Sequence, residues 1–222
     1  MVMQDISETF STMSLKKKKR ILSIDIGVHN LALVESEDST ILFIDLVDIT
    51  IFAHKTVPED ECQLYHAKTF FDWVQHVVQE YTYLFERVDV ILIERQPPGG
   101  FTVIEQLLFG FYRNKAVLIS PNSVHAFHSF QKLDYEQRKV AAMIVALPYL
   151  TIEQREHLNT FDRQHDVADA ITQLLYYLHK TEDDEKMEKK EEIIDMVVET
   201  EVIKGTSIPM SSLDKYIYIP KK

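Results

Sequence analysis

The run Val88-Asp89-Val90-Ile91-Leu92-Ile93-Glu94 constrains the fold more than any other stretch of the chain. Successive side chains of a strand point to opposite faces, so four aliphatic residues in a row leave neither face polar. A strand of that kind sits in the middle of a sheet covered on both sides, which in an α/β domain means helices on both faces. The break Pro97-Pro98-Gly99-Gly100 follows at once, so Glu94 falls at the rim of the sheet. Open α/β sheets hold their ligands at such rims.

The flanking segments fit this frame. Residues 21–35, "ILSIDIGVHNLALVE", read as two strands around a hairpin at Gly27-Val28-His29-Asn30, and 39–49, "STILFIDLVDI", as a third strand. Apolar positions at helical spacing from Leu64 to Leu84 predict an amphipathic helix over 60–84. Further helices are expected over 102–113, 135–147, 151–159 and 165–179, with another buried strand over 116–120. Three hairpin-linked strands followed by strand–helix–strand units imply a mixed five-stranded sheet, three strands antiparallel and then two parallel, flanked by helices. Residues 1–20 read as a flexible basic arm, 21–180 as the folded domain and 181–222 as an acidic extension. "KYIYIPKK" could add a short strand within that extension.

Of the 222 residues, 45% are hydrophobic and 27% charged, an ordinary composition for a soluble domain. No apolar run approaches the ~20 residues that span a bilayer, and the polar start is no signal peptide, so no membrane partner is expected. One cysteine, Cys62, excludes an internal disulfide and a cysteine-ligated zinc, and fits a reducing compartment. The net charge of −11 argues against a nucleic-acid partner unless the bases cluster and a metal neutralises part of the acidity. The run Lys16 to Arg20 reads as a nuclear-targeting or nucleic-acid-contacting patch, or as a solvated lead-in to the first strand.

Four carboxylates stand at the ends of elements. Asp25 closes the first strand beside Gly27, and reads equally as a turn aspartate. Glu94 reads as a ligand-bearing rim residue or as a partner of Arg95 or Arg113. Asp166 and Asp169, in "RQHDVADA", flank the apolar stripe of Val167, Ile171, Leu174 and Leu178, about one turn apart on one face. The dipole at a helix start favours one such aspartate, and two on one face ask for more. Acids drawn from three separate elements need a countercharge, and all-oxygen ligands suit Mg²⁺ or Mn²⁺. Two such ions ~3.5–4 Å apart support in-line attack of water on a phosphodiester.

The blocks "SIDIGVHNLAL", "LIERQPPGG" with "IEQLLFGFYR", "VLISP" and "HDVADA" resemble the Holliday junction resolvases of poxviruses and iridoviruses. These are relatives of bacterial RuvC and the fungal mitochondrial resolvases. The resemblance runs over about 21–179 with the blocks in order. It implies an RNase H-like fold and a homodimeric, Mg²⁺-dependent endonuclease, with two ions per site and Mn²⁺ able to substitute. Such an enzyme places paired symmetric nicks in four-way junction DNA, in recombination and in processing branched viral DNA. It works inside the cell, at a viral replication site in host cytoplasm or nucleus.

Carried over residue by residue, the family's metal-binding acids fall on Asp25, Glu94, Asp166 and Asp169. Its catalytic basic residue falls on Lys139, with Arg138 the alternative. Arg95, Gln96, Arg113, Lys115, Lys132 and Arg138 are candidate DNA contacts. Phe101, Phe109 and the pair Phe127 and Phe130 are candidates for stacking on unpaired bases. His165 and His29 are candidates for proton transfer. The basic arm and the acidic tail depart from the family pattern, and the tail could compete with DNA or recruit a protein partner.

Rival functions stay open. Asp-x-Gly after a strand also occurs in actin-like ATPases and sugar kinases, but five glycines supply no second phosphate loop. A non-catalytic junction-binding protein and an RNA–DNA hybrid nuclease would also carry such motifs.

Overall fold

A computed structural model of the chain describes residues 18–53 and 69–203, with side chains as far as 187. Residues 1–17 of the arm expected over 1–20, the helix positions 60–68 and the strand in "KYIYIPKK" lie outside the described residues. The chain divides into two compact units, residues 1–174 and 175–222.

Five strands form one sheet: β1 (Arg20–Asp25), β2 (Leu31–Glu37), β3 (Thr40–Val47), β4 (Val90–Glu94) and β5 (Ala116–Ile119), in the order β3-β2-β1-β4-β5. The β1–β2 and β2–β3 pairs are antiparallel, and β1–β4 and β4–β5 are parallel. This is the mixed sheet expected from the order of elements. At Gly27 a Cβ would meet the carbonyl oxygen of Asn30 at 2.6 Å, so the turn leaving β1 closes only without a side chain.

The central strands are buried on both faces, as the apolar run requires. Leu22, Ile24, Ile91 and Ile93 point to one side. There they pack with Val74 and Val77 of α1 (Phe70–Glu80), Leu84 and Phe85 of α2 (Thr82–Arg87), and Ile104 and Leu108 of α3 (Thr102–Phe111). By strand alternation Ser23 and Asp25 of β1, with Leu92 and Glu94 of β4, point to the other side. That face receives α7 (Gln164–Ile203): Ser23 Oγ donates to the carbonyl of Ala170 at 2.8 Å. Gln173 Nε2 reaches Ser23 Oγ at 3.0 Å and the Ile24 carbonyl at 3.3 Å. These bonds fix the first three turns of α7 against β1.

Several boundaries differ from the sequence reading. The helix over 60–84 breaks at Tyr81, whose φ of −100° and ψ of 22° close α1 before α2 begins. The strand over 39–49 ends at Val47, and a 3₁₀ turn covers Ile49–Ala53. The strand over 116–120 exists, but it is a four-residue edge strand with only Ile119 fully buried, not a central one. A short apolar run does not distinguish the two positions. Sequence reading missed α4 (Pro121–Phe127), which starts on a proline placed where a missing N–H costs nothing. Helices α5 (Tyr135–Ala146) and α6 (Ile152–Leu158) match expectation, each opened by a capping box, from Asp134 and Thr151. Helix α7 runs past 179 to Ile203.

Candidate metal centre

The parallel pairing of β1 with β4 aligns Ile24 with Ile93, so Asp25 and Glu94, one residue further on each strand, lie side by side at one rim. Both share the face covered by α7, whose first turns carry Asp166 and Asp169. One carboxylate oxygen from each of Asp25, Asp166 and Asp169 lies within 4.8 Å of the others. Glu94 joins the group by a hydrogen bond with Asp25. Asp25, Glu94 and Asp169 line a small half-open cavity of about 60 Å³, together with His125, Thr172 and Gln173. The four sequence-selected acids therefore meet.

The electrostatics record how crowded they are. Burial, and then the charges of Glu94 and Asp169, push the Asp25 carboxyl well above the usual range. Burial also raises Glu94. Asp169 is pushed to about 7, by burial first and then by Asp166 and Glu94, against the opposing charges of Arg138 and Lys139. Three oxygens from separate side chains within reach of one another, in a site that disfavours their negative charge, match the donor set of a hard divalent cation. The residues present fit Mg²⁺ or Mn²⁺.

Asp166 has a partner already. Arg163 Nε donates to its Oδ2 at 2.8 Å, and His165 Nε2 lies 3.1 Å from its Oδ1. Burial is the main cause lowering His165, against the opposing charge of Asp166 beside it. His29 instead faces Asp48 at 3.3 Å beyond the hairpin. Lys139 ion-pairs with Glu136 at 3.3 Å, lies 3.9 Å over the Tyr135 ring, and lines a groove of about 350 Å³ with His165. Arg138 Nη1 donates to the Leu133 carbonyl at 2.8 Å. Both bases act on Asp169, so both adjoin the acids.

The other basic candidates scatter. Arg95 is exposed just past Glu94, and Lys132 is exposed before α5. Lys115 precedes β5, at the end of the sheet away from Glu94. Its ammonium donates to the carbonyls of Phe85, Glu86 and Val88, which ties the start of β5 to the end of α2. Arg113 lies in the same turn, away from the acids. Gln96 Nε2 donates to Glu94 Oε2 at 2.6 Å, so its amide serves the acid. At the base of the sheet, Lys18 ion-pairs with Glu37 and Arg20 with Glu35 and Glu37, which makes this part of the basic run a lead-in to β1. Phe101 and Phe127 are exposed, whereas Phe109 packs against the core and Phe130 is buried on His128.

Three residues beside the acids escaped the sequence reading: Arg163, Glu105 and His125. Arg163 stands three residues before Asp166, a spacing that carries a signal; His125 rides on the unexpected α4 and carried none.

The fold is shared with solved resolvases. Fowlpox virus resolvase, in complex with Holliday junction DNA, superposes with a TM-score of 0.52 at 20% identity, over 73% of this chain and 98% of that one. The yeast mitochondrial Holliday junction resolvase Ydc2 gives 0.50 at 20% identity, over 75% and 81%. No family model and no curated protein sequence matches the chain. The mixed five-stranded sheet, three strands antiparallel and two parallel, is the architecture observed. Among the described residues no helix is long and apolar enough to cross a membrane.

Proposed function

We propose that this protein is a divalent-metal-dependent DNA endonuclease that resolves four-way junctions by paired nicks. The observation that carries this reading is the convergence of Asp25, Glu94, Asp166 and Asp169 from β1, β4 and α7 on one rim. The likeness in fold to resolvases of fowlpox virus and yeast supports the choice of substrate.

Asp25, Asp166 and Asp169 hold the cation, with Glu94 beside them, and two ions occupy the full site. When bound, Mg²⁺ or Mn²⁺ neutralises the scissile phosphate and lowers the pKa of water. The protein's own residues position and shield. Arg163 holds Asp166 in place, Gln96 holds Glu94, and Lys139 or Arg138 offsets charge developing on the phosphate. Arg95 and Lys132 contact backbone phosphates, and the exposed rings of Phe101 and Phe127 stack on unpaired bases. Two opposed nicks require two sites, so the working form is a homodimer. The exposed side chains Phe71, Val103 and Phe111, on α1 and α3, give it an apolar face. The site of action is the compartment of viral DNA replication.

The test is cleavage of a synthetic four-way junction in Mg²⁺. Wild-type protein leaves paired nicks, while Asp25→Asn and Glu94→Gln bind the junction without cutting it. Cleavage that persists in both variants overturns the assignment.

A further inference from the structure

Glu105 is a buried carboxylate, 5% exposed, that takes no part in the acid cluster. It stands in the first turn of α3, where the helix dipole favours its charge. Its Oε2 accepts the backbone N–H of Gln96 at 2.6 Å, and its Oε1 accepts Gln106 Nε2 at 2.8 Å. Gln96 in turn donates from Nε2 to Glu94 Oε2 at 2.6 Å, and its Oε1 accepts the N–H of Phe101 at 3.3 Å. Pro97 follows Gln96 and restricts its backbone to extended conformations. Gly100 makes room: a Cβ there would press to 3.1 Å from Gln96 Oε1. Every polar group of Gln96 named here is thus committed to one geometry.

We propose that Glu105 and Gln96 are positioning residues that fix which oxygen of Glu94 meets the divalent cation. Glu105 holds the Gln96 backbone, the Gln96 amide occupies Glu94 Oε2, and the second oxygen of Glu94 is the one assigned to the ion, which replaces the hydrogen bond Glu94 shares with Asp25 in the ion-free site. This rests on the nuclease reading and deepens it. An untethered glutamate has three side-chain torsions to freeze on binding metal, and the relay freezes them beforehand. Outer residues that orient a ligand in this way affect metal affinity or activity by roughly 10–100-fold.

The experiment is Mn²⁺ titration by calorimetry of the full chain, with thermal melts in EDTA and junction cleavage alongside. Gln96→Leu and Glu105→Leu are each expected to weaken Mn²⁺ affinity by roughly 10–100-fold. The double variant is no worse than the weaker single one, because both act through one oxygen. Glu105→Gln, which keeps an acceptor at the same reach, recovers most of the affinity. A purely structural role would lower the melting temperature and leave the folded protein's Mn²⁺ affinity unchanged; that result in Gln96→Leu overturns the proposal, even if Glu105→Leu fails to fold. Wild-type protein that binds Mn²⁺ but leaves junctions intact overturns the nuclease reading alone. Wild-type protein that binds no Mn²⁺ overturns both.

Discussion

Arg163 grips Asp166 with two nitrogens of its guanidinium, Nε to Oδ2 at 2.8 Å and Nη2 to Oδ1 at 3.2 Å. Asp166 is one of the three aspartates that converge, and this arginine neutralises it in the absence of an ion. Arg163 is partly exposed, so Arg163→Gln is expected to lower stability in EDTA by only about 1 kcal/mol. In Mg²⁺ the cation takes over the neutralisation and the loss shrinks. Paired thermal melts check this, and an equal loss in both buffers would count against it.

Asp25 sits where burial and its neighbours most oppose a negative charge. Asp25→Asn keeps the shape and takes an ionisable carboxyl out of that setting, so it is expected to raise the melting temperature in EDTA wherever the carboxyl would otherwise ionise. The same variant forfeits the further rise that Mg²⁺ gives the wild type, and its cleavage rate falls by roughly a hundredfold or more. Differential scanning calorimetry with and without Mg²⁺ reads the two thermal effects, and a junction-cleavage time course reads the rate.

The pH dependence of the ion-free protein follows from Asp169. Its folded pKa of about 7 lies above the ordinary 3.8, so the folded state binds the proton more tightly than the unfolded state. The stability this confers is complete below about pH 4 and is lost as pH rises through 7. Asp25 and Glu94 act in the same direction. Urea unfolding in EDTA between pH 5 and 8 is expected to show falling stability, and saturating Mg²⁺ to flatten the curve.

Gln173 ties α7 to β1 through Ser23 and the Ile24 carbonyl. Gln173→Leu removes both bonds and is expected to cost roughly 1–3 kcal/mol. Because Asp166 and Asp169 ride on the same turns of α7, junction cleavage is expected to fall further than stability accounts for, measured on protein shown to be folded.

Phe111 is 40% exposed, with its ring 6.0 Å from that of Phe71. Phe111→Glu places a charge in the apolar face of α1 and α3. Sedimentation is expected to show monomer, and the paired nicks to become uncoupled single nicks. A dimer that persists would place the interface elsewhere.

The parts of the fold legible in the sequence were those fixed by local pattern. Val90 to Ile93 announced a central strand because no helix-spaced or alternating pattern accommodates four aliphatic residues there. Gly27 announced its turn because the approach of Asn30 excludes a side chain. The four carboxylates were legible as anomalies, charges at the ends of apolar elements. Their partners were not. Lys115 looks like any surface lysine until the chain folds and three carbonyls close on it. Nothing local shows that the Gln96 amide turns to Glu94. The edge position of β5 was hidden for the same reason: strand order is a property of the assembled sheet.

The distance along the chain from Asp25 to Asp169 has a consequence during synthesis. A nascent polypeptide that has already completed all five strands carries only Asp25 and Glu94 at the rim, because the other two acids follow more than forty residues after β5. On the nuclease reading the acid site is complete only after the first turns of α7 have been made, and a translation product that stops before them is expected not to nick DNA.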